Sequence, residues 1–329
     1  FFGFVLPRQQ MMADHMKMDD DRNENGAAAS RDESINVDVQ LEEPAPSSRR
    51  KTQAEKKMFL VRVCLAECLC TFIFLFSVMA MSINLMKLGQ SHNTVESAIV
   101  TGFVAVAIIY AFGDVSGAHF NPAVTFGTMV VRKTSLKKGL CYIVMQLLAS
   151  VGATLWIGVL YGVEYIGELV LVPHDEILRS FLMEFTLTFI LVFVIMSTAF
   201  ASKESVEHQV GADGSGGHKG YSTIVINSSG KAQFAGIAIG FTLGYLTMIG
   251  GSVSGGAFNP ARAFGPSLVT LRIFTRPVQW LYWLGDFAGA AGAAIVHHLL
   301  EVMFRFENER PTVKGVLLAL LPGRCCGNH

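Results

Sequence analysis

Ser116-Gly117-Ala118-His119-Phe120-Asn121-Pro122-Ala123-Val124-Thr125-Phe126-Gly127 is matched 138 residues later by Ser254-Gly255-Gly256-Ala257-Phe258-Asn259-Pro260-Ala261-Arg262-Ala263-Phe264-Gly265. Both copies keep the frame Ser-Gly-x-x-Phe-Asn-Pro-Ala-x-x-Phe-Gly. Asn suits a helix N-cap and Pro suits the first helical position, so Asn121-Pro122-Ala123 and Asn259-Pro260-Ala261 each predict a helix start. The apolar runs that follow, 121–131 and 259–270, would each rise only about 16 Å at ~1.5 Å per residue. That is near half of a ~30 Å hydrocarbon layer. Between long apolar segments, two such half-helices read as re-entrant.

Working outward, six segments are long and apolar enough to span a bilayer: 59–85, 95–113, 139–162, 177–201, 233–252 and 278–304. The fold class is therefore an all-α membrane protein with six transmembrane helices plus two re-entrant half-helices. The two halves, about 58–165 and 175–305, are internal repeats. Ala66-Glu67 leads into Thr71-Phe72-Ile73-Phe74-Leu75-Phe76, and Met183-Glu184 leads into Thr188-Phe189-Ile190-Leu191-Val192-Phe193. Three spans per half is an odd number, so the second half must enter the membrane upside down. An inverted repeat places its site at the midplane between the halves.

Composition agrees with this reading. The chain is 51% hydrophobic and 16% charged, against about 25% charged in an ordinary soluble protein. The formal net charge is zero, which gives no electrostatic case for a nucleic-acid partner. Residues 1–57 change character, being rich in Asp, Glu, Asn, Ser, Lys and Arg, and are expected to be a disordered tail. Residues 306–329 form a second tail. Lys and Arg cluster on one side of the spans, with Arg132, Lys133, Lys137 and Lys138 among them, so both termini are expected on the cytoplasmic side. That topology puts the glycosylation sequon at Asn227 in a cytoplasmic loop, where it would stay unmodified. Two basic-then-hydroxyl runs, Arg49-Arg50-Lys51-Thr52 and Arg132-Lys133-Thr134-Ser135, fall on the same face as candidate phosphorylation sites.

Both boxes, the repeated Glu and Tyr282-Trp283-Leu284-Gly285 in the last span resemble the aquaporin, or major intrinsic protein, family over about residues 58–305. The resemblance implies a right-handed six-helix bundle, a homotetramer in the lipid bilayer and one pore in each subunit. Its solutes would be water and small neutral molecules such as glycerol, urea and peroxide. The membrane would be the plasma membrane or an intracellular vacuolar membrane.

Asn121 and Asn259 would cap their half-helices through oxygen and point their amide NH2 groups into the pore. Two opposed helix N-termini, each worth about half a positive charge, would orient water and repel cations. Arg262 is costly in a membrane, so it should face water with carbonyl partners and act as a selectivity-filter cation. By spacing from each Asn, the resemblance puts the other filter positions at Thr101, Thr247 and Ala257. Family water filters carry a bulky Phe and a His at the first two, so two Thr predict a wider opening with hydroxyls that both donate and accept. Ala263 argues the other way, because glycerol channels place Asp after the Arg. Glu67 and Glu184 are buried mid-helix acids, for which the resemblance implies a structural role, accepting from backbone N–H groups or orienting the re-entrant loops, and His119 is expected in the cytoplasmic vestibule.

Cys64, Cys68, Cys70 and Cys141 lie in apolar runs without zinc-site spacing. No nucleophile–base pair or phosphate loop stands out, so neither an enzyme, a metal nor a cofactor is expected. Two other readings stay open beside the channel. One is a secondary transporter, which also uses inverted repeats and broken helices. The other is a junctional or scaffold membrane protein that keeps the fold with a closed pore.

Overall fold

The computed structural model describes residues 52–90, 93–200, 206–208, 222–224, 230–275 and 279–309. The first half consists of α1 (Gln53–Lys87), α2 (Thr94–Phe112), the short α3 (Pro122–Val130) and α4 (Leu136–Tyr161). The second consists of α5 (Ile177–Ala199), α6 (Gly230–Gly250), the short α7 (Pro260–Val269), the single turn α8 (Arg272–Thr275) and α9 (Gln279–Glu309). A 3-10 segment, Val163–Leu169, follows α4. In the connection after α5, β1 (Val206–His208) pairs antiparallel with β2 (Ser222–Ile224), a small ladder the sequence reading did not place. Asn227, Arg49, Arg50 and Lys51 lie outside the described residues.

Five of these helices are long and apolar enough to cross a membrane, and α6 contributes the shorter apolar stretch Phe234–Gly250. Two boundaries differ from expectation. The first helix begins at Gln53 rather than after residue 57, because Thr52 and Glu55 close a capping box. Thr52 Oγ1 accepts from the Glu55 N–H at 3.2 Å, and the Thr52 N–H donates to Glu55 Oε2 at 2.6 Å. The polar composition of 53–57 suggested tail, yet a cap and Glu–Lys content suit a helix end equally well. The last helix also runs beyond residue 305, to Glu309.

The packing repeats with the sequence. α1 lies on α4 as α5 lies on α9, α1 on α2 as α5 on α6, and the halves meet along α2 and α6. At that seam a Cβ on Gly102 would come within 2.9 Å of the Gly240 carbonyl oxygen, and one on Gly240 within 2.8 Å of the Gly102 oxygen. Small residues there let two backbones touch, which is how helices gain packing in lipid. Gly244 and Gly289 also face opposing backbone, the Ala98 and Phe185 carbonyl oxygens, whereas Gly152 has only the Phe72 ring at 3.8 Å and is not a tight point.

Each short helix crosses over to the other half: α3 packs on α9, and α7 on α4. The α4 side of the second contact is a polar stripe at four-residue spacing, Gln146, Ser150 and Thr154. Ser150 Oγ donates to the Ala261 carbonyl and accepts from the Gly265 N–H at 3.0 Å.

Candidate functional site

The two boxes form matched loops. Asn121 (φ −152°) and Asn259 (φ −156°) are extended N-caps whose Oδ1 atoms accept from Ala123 N–H at 2.8 Å and Ala261 N–H at 3.0 Å. Pro122 and Pro260 take the first helical position, where a missing N–H costs nothing. The preceding Phe120 and Phe258 sit at φ 36° and φ 32°, a left-handed conformation unusual for a bulky side chain. That turn aims their carbonyls across the midline. Asn121 Nδ2 donates to the Phe258 oxygen at 2.7 Å, and Asn259 Nδ2 to the Phe120 oxygen at 3.0 Å. The expectation that both amide hydrogens of each Asn face the pore is thus corrected. One N–H of each is committed to the opposite loop, because buried Phe carbonyls need donors, and one N–H of each amide is left.

The acids sit behind the loops. Glu67, fully buried, accepts from His119 N–H (2.9 Å), Phe120 N–H (3.0 Å), Ser116 Oγ (2.7 Å) and Gln146 Nε2 (2.9 Å). Glu184, also fully buried, accepts from Ala257 N–H (2.9 Å) and Phe258 N–H (2.7 Å). Tyr142 and Tyr282 donate to the Ser116 and Ser254 carbonyls, both at 2.8 Å. Gln146 and Asp286 are members of this network that sequence reasoning missed. Each lies four residues after the matched tyrosine, so the internal repeat carried a signal for both.

Two cavities approach the paired loops from opposite ends of the same helices. One, of about 730 Å³, is lined by the C-terminal end of α2 (Ile109, Tyr110) and the N-terminal end of α6 (Ala235, Gly236), and reaches Asn121. His119, Lys133 and Lys138 line it. His119 is 7% exposed, with Nδ1 3.1 Å from Thr125 Oγ1 and its ring edge-on to Tyr142. Thr134 is buried against Thr128, which withdraws its hydroxyl from the surface, while neighbouring Ser135 is exposed.

The other cavity, of about 630 Å³, is lined by the opposite ends of α2 and α6 and brings Thr101, Thr247, Ala257 and Arg262 together. Arg262 Nη1 donates to the Leu169 carbonyl at 2.9 Å, and Arg272 Nη1 to the Gly167 carbonyl at 2.6 Å, so two cations pin the 3-10 segment. Thr101 Oγ1 donates to Ser97 O (2.7 Å) and Thr247 Oγ1 to Leu243 O (2.8 Å). This corrects the expectation of hydroxyls that both donate and accept. Each Thr sits within its helix with the carbonyl one turn back in reach, and only its oxygen lone pairs face the cavity. Phe74 and His174 also line this cavity and were not singled out from the sequence. Next in sequence to His174, the Glu176 N–H and Arg179 hold the Asp175 carboxyl below the ordinary carboxylate range.

Three comparisons bear on this geometry. The family model described as "Major intrinsic protein" matches residues 53–212 and 221–297. Aquaporin-B of Dictyostelium discoideum is 45% identical over 262 residues, covering 77% of this chain and 87% of that protein. Aquaporin TIP1-1 of Arabidopsis thaliana is 32% identical over 253 residues, covering 74% and 87%. The structure of the aquaglyceroporin from Plasmodium falciparum superposes with a TM-score of 0.57 at 19% identity, covering 79% of this chain and 99% of that one, a likeness of fold. With crossed Asn-Pro-Ala loops at the junction of an inverted repeat, and a family match spanning both halves, the chain belongs to the major intrinsic protein family.

Proposed function

We propose that the chain is a passive transmembrane channel for water that excludes protons and ions. The observation that carries this is that one cavity reaches Asn121 and the other reaches Phe258, two residues hydrogen-bonded to each other. Water entering either cavity reaches the Asn pair, where each amide keeps one N–H to donate. A water oxygen that accepts from both of these groups has no lone pair left to accept from a neighbouring water. The N-termini of α3 and α7 enforce opposite orientations on either side, so a proton cannot hop along the file. Arg262 adds a fixed positive charge in the outer cavity, held in place by the Leu169 carbonyl.

Thr101, Thr247, Ala257 and Arg262 act as the selectivity filter. It offers one cationic donor and two hydroxyl acceptors, with no bulky aromatic at the Thr positions. This favours passage of small neutral hydroxylated or amide solutes alongside water. Glu67 and Glu184 hold the loops in shape, and His119 lines the cytoplasmic vestibule. Lys133 and Lys138 around the His119 cavity support a cytoplasmic assignment for that side and for both termini. Exposed Phe103 and Phe241 on the outer faces of α2 and α6 suit lipid or neighbouring copies in a homotetramer. The protein resides in the plasma membrane or a vacuolar membrane, which fluorescence localisation separates.

Stopped-flow shrinkage of proteoliposomes tests the reading. Non-saturating water flux with no dependence on an ion gradient, and no proton leak, supports the channel. Saturable, proton-coupled uptake would assign a transporter instead, and the absence of any flux a pore-closed scaffold.

A further inference from the structure

The two halves hold their loops with different chemistry at one matched position. In the first, Gln146 stands four residues after Tyr142 and gives an amide hydrogen to Glu67 Oε2 at 2.9 Å. In the second, Asp286 stands four residues after Tyr282 and meets the Glu184 side chain. The tyrosines make the same 2.8 Å bond to the Ser116 and Ser254 carbonyls, so the register of the two helices is the same. A carboxyl group therefore occupies the place of an amide donor.

Asp286 is fully buried. Its Oδ1 accepts from Thr188 Oγ1 at 3.0 Å, and its Oδ2 finds no donor. What faces it is the Glu184 carboxylate, which is already an acceptor for Ala257 N–H and Phe258 N–H. Two ionised carboxylates side by side, both out of water, repel each other and leave an orphaned acceptor. One proton removes both costs: it cancels one charge and turns the unpaired oxygen into a donor. The other groups facing the pair do not replace it. Tyr282, on the same helix as Asp286, donates to Ser254 O, and Arg262 on α7 donates to Leu169 O. Ser254 and Thr188 are neutral.

We infer that Asp286 is a neutral carboxylic acid that donates to Glu184 and so serves as a positioning residue for the Ala257-Phe258 loop. Each half then sets one neutral donor against its buried Glu behind the Asn-Pro-Ala turn: Gln146 against Glu67, and protonated Asp286 against Glu184. A second negative charge here would sit behind the filter, close to Ala257, and draw cations toward the barrier that Arg262 maintains.

The inference rests on the channel reading only for that last consequence, and its primary test does not use flux. Infrared spectra of the full chain reconstituted in lipid at neutral pH should contain the carbonyl-stretch band of a protonated carboxylic acid. The band should vanish in Asp286→Asn. Asp286→Asn, which restores the amide donor of the first half, should keep water permeability within about twofold of wild type. Asp286→Leu, similar in size but with no donor, should lower the thermal midpoint and the permeability, as expected when a buried acceptor loses its partner. A protonated-carboxyl band that survives in Asp286→Asn, no such band in the wild type, or Asn behaving as badly as Leu would overturn the assignment.

Discussion

Asn121 donates to the Phe258 carbonyl at 2.7 Å, and the reverse bond runs from Asn259 to Phe120 at 3.0 Å. Each asparagine thus does three things with one amide. Its oxygen caps its own half-helix, one N–H staples the opposite half, and the other N–H is left over. The left-handed Phe120 and Phe258 are what make the staple possible, because only that turn brings their carbonyls to the midline. Such a conformation persists only where surrounding bonds over-determine it, and here Glu67 and Glu184 supply those bonds through the Phe120 and Phe258 N–H groups.

Asn121→Ala removes the cap and the staple together and leaves the Phe258 oxygen unpaired. A cap is worth about 1 kcal/mol and an orphaned buried acceptor about 1–3 kcal/mol, so a loss of roughly 2–4 kcal/mol is expected. Thermal unfolding of the detergent-solubilised protein measures it. A variant as stable as the wild type would mean the staple contributes nothing.

Arg262→Val removes the fixed charge of the cavity lined by Thr101 and Thr247 and frees the Leu169 carbonyl. Water flux should persist while proton or cation leak rises. Ion tightness equal to wild type in a folded variant would remove Arg262 from the barrier.

Ala257 lines the same cavity as Arg262, and none of the four described cysteines, Cys64, Cys68, Cys70 and Cys141, lines that cavity or the one at His119. Water flux should therefore resist mercurials, and Ala257→Cys should confer sensitivity that a thiol reverses. Strong inhibition of the unaltered protein would mean that a cysteine reaches the pore by another route.

The wild type should pass at least one of glycerol, urea or peroxide in addition to water. Thr101→Phe with Thr247→His rebuilds a bulky wall and should cut that passage about tenfold or more, the effect of about 1.4 kcal/mol on a barrier, with a smaller change for water. A solute panel by stopped-flow light scattering gives the ratio. If selectivity does not move, these residues are not the constriction.

Much of this architecture was legible in the chain. Asn-Pro at a helix start is a local rule, and its recurrence in one frame exposed the repeat, the half-helices and the inverted topology without any contact being known. Apolar length placed the spans to within a few residues, missing at Gln53 and Glu309 because polar helix ends and polar tails have the same composition. Burial of Glu67 and Glu184 could be anticipated because an acid in an apolar span must find donors. Tertiary structure alone decided which donors answer them, since hydrogen-bond direction depends on backbone turned left-handed at Phe120 and Phe258. It also decided that the Thr101 and Thr247 hydroxyls turn back onto their own helices, and that one N–H of Asn121 and of Asn259 is taken by the other half. The difference is physical: periodicity, capping and hydropathy act within a few residues of chain, whereas the donors and acceptors left over at the midline are matched only when the two halves meet.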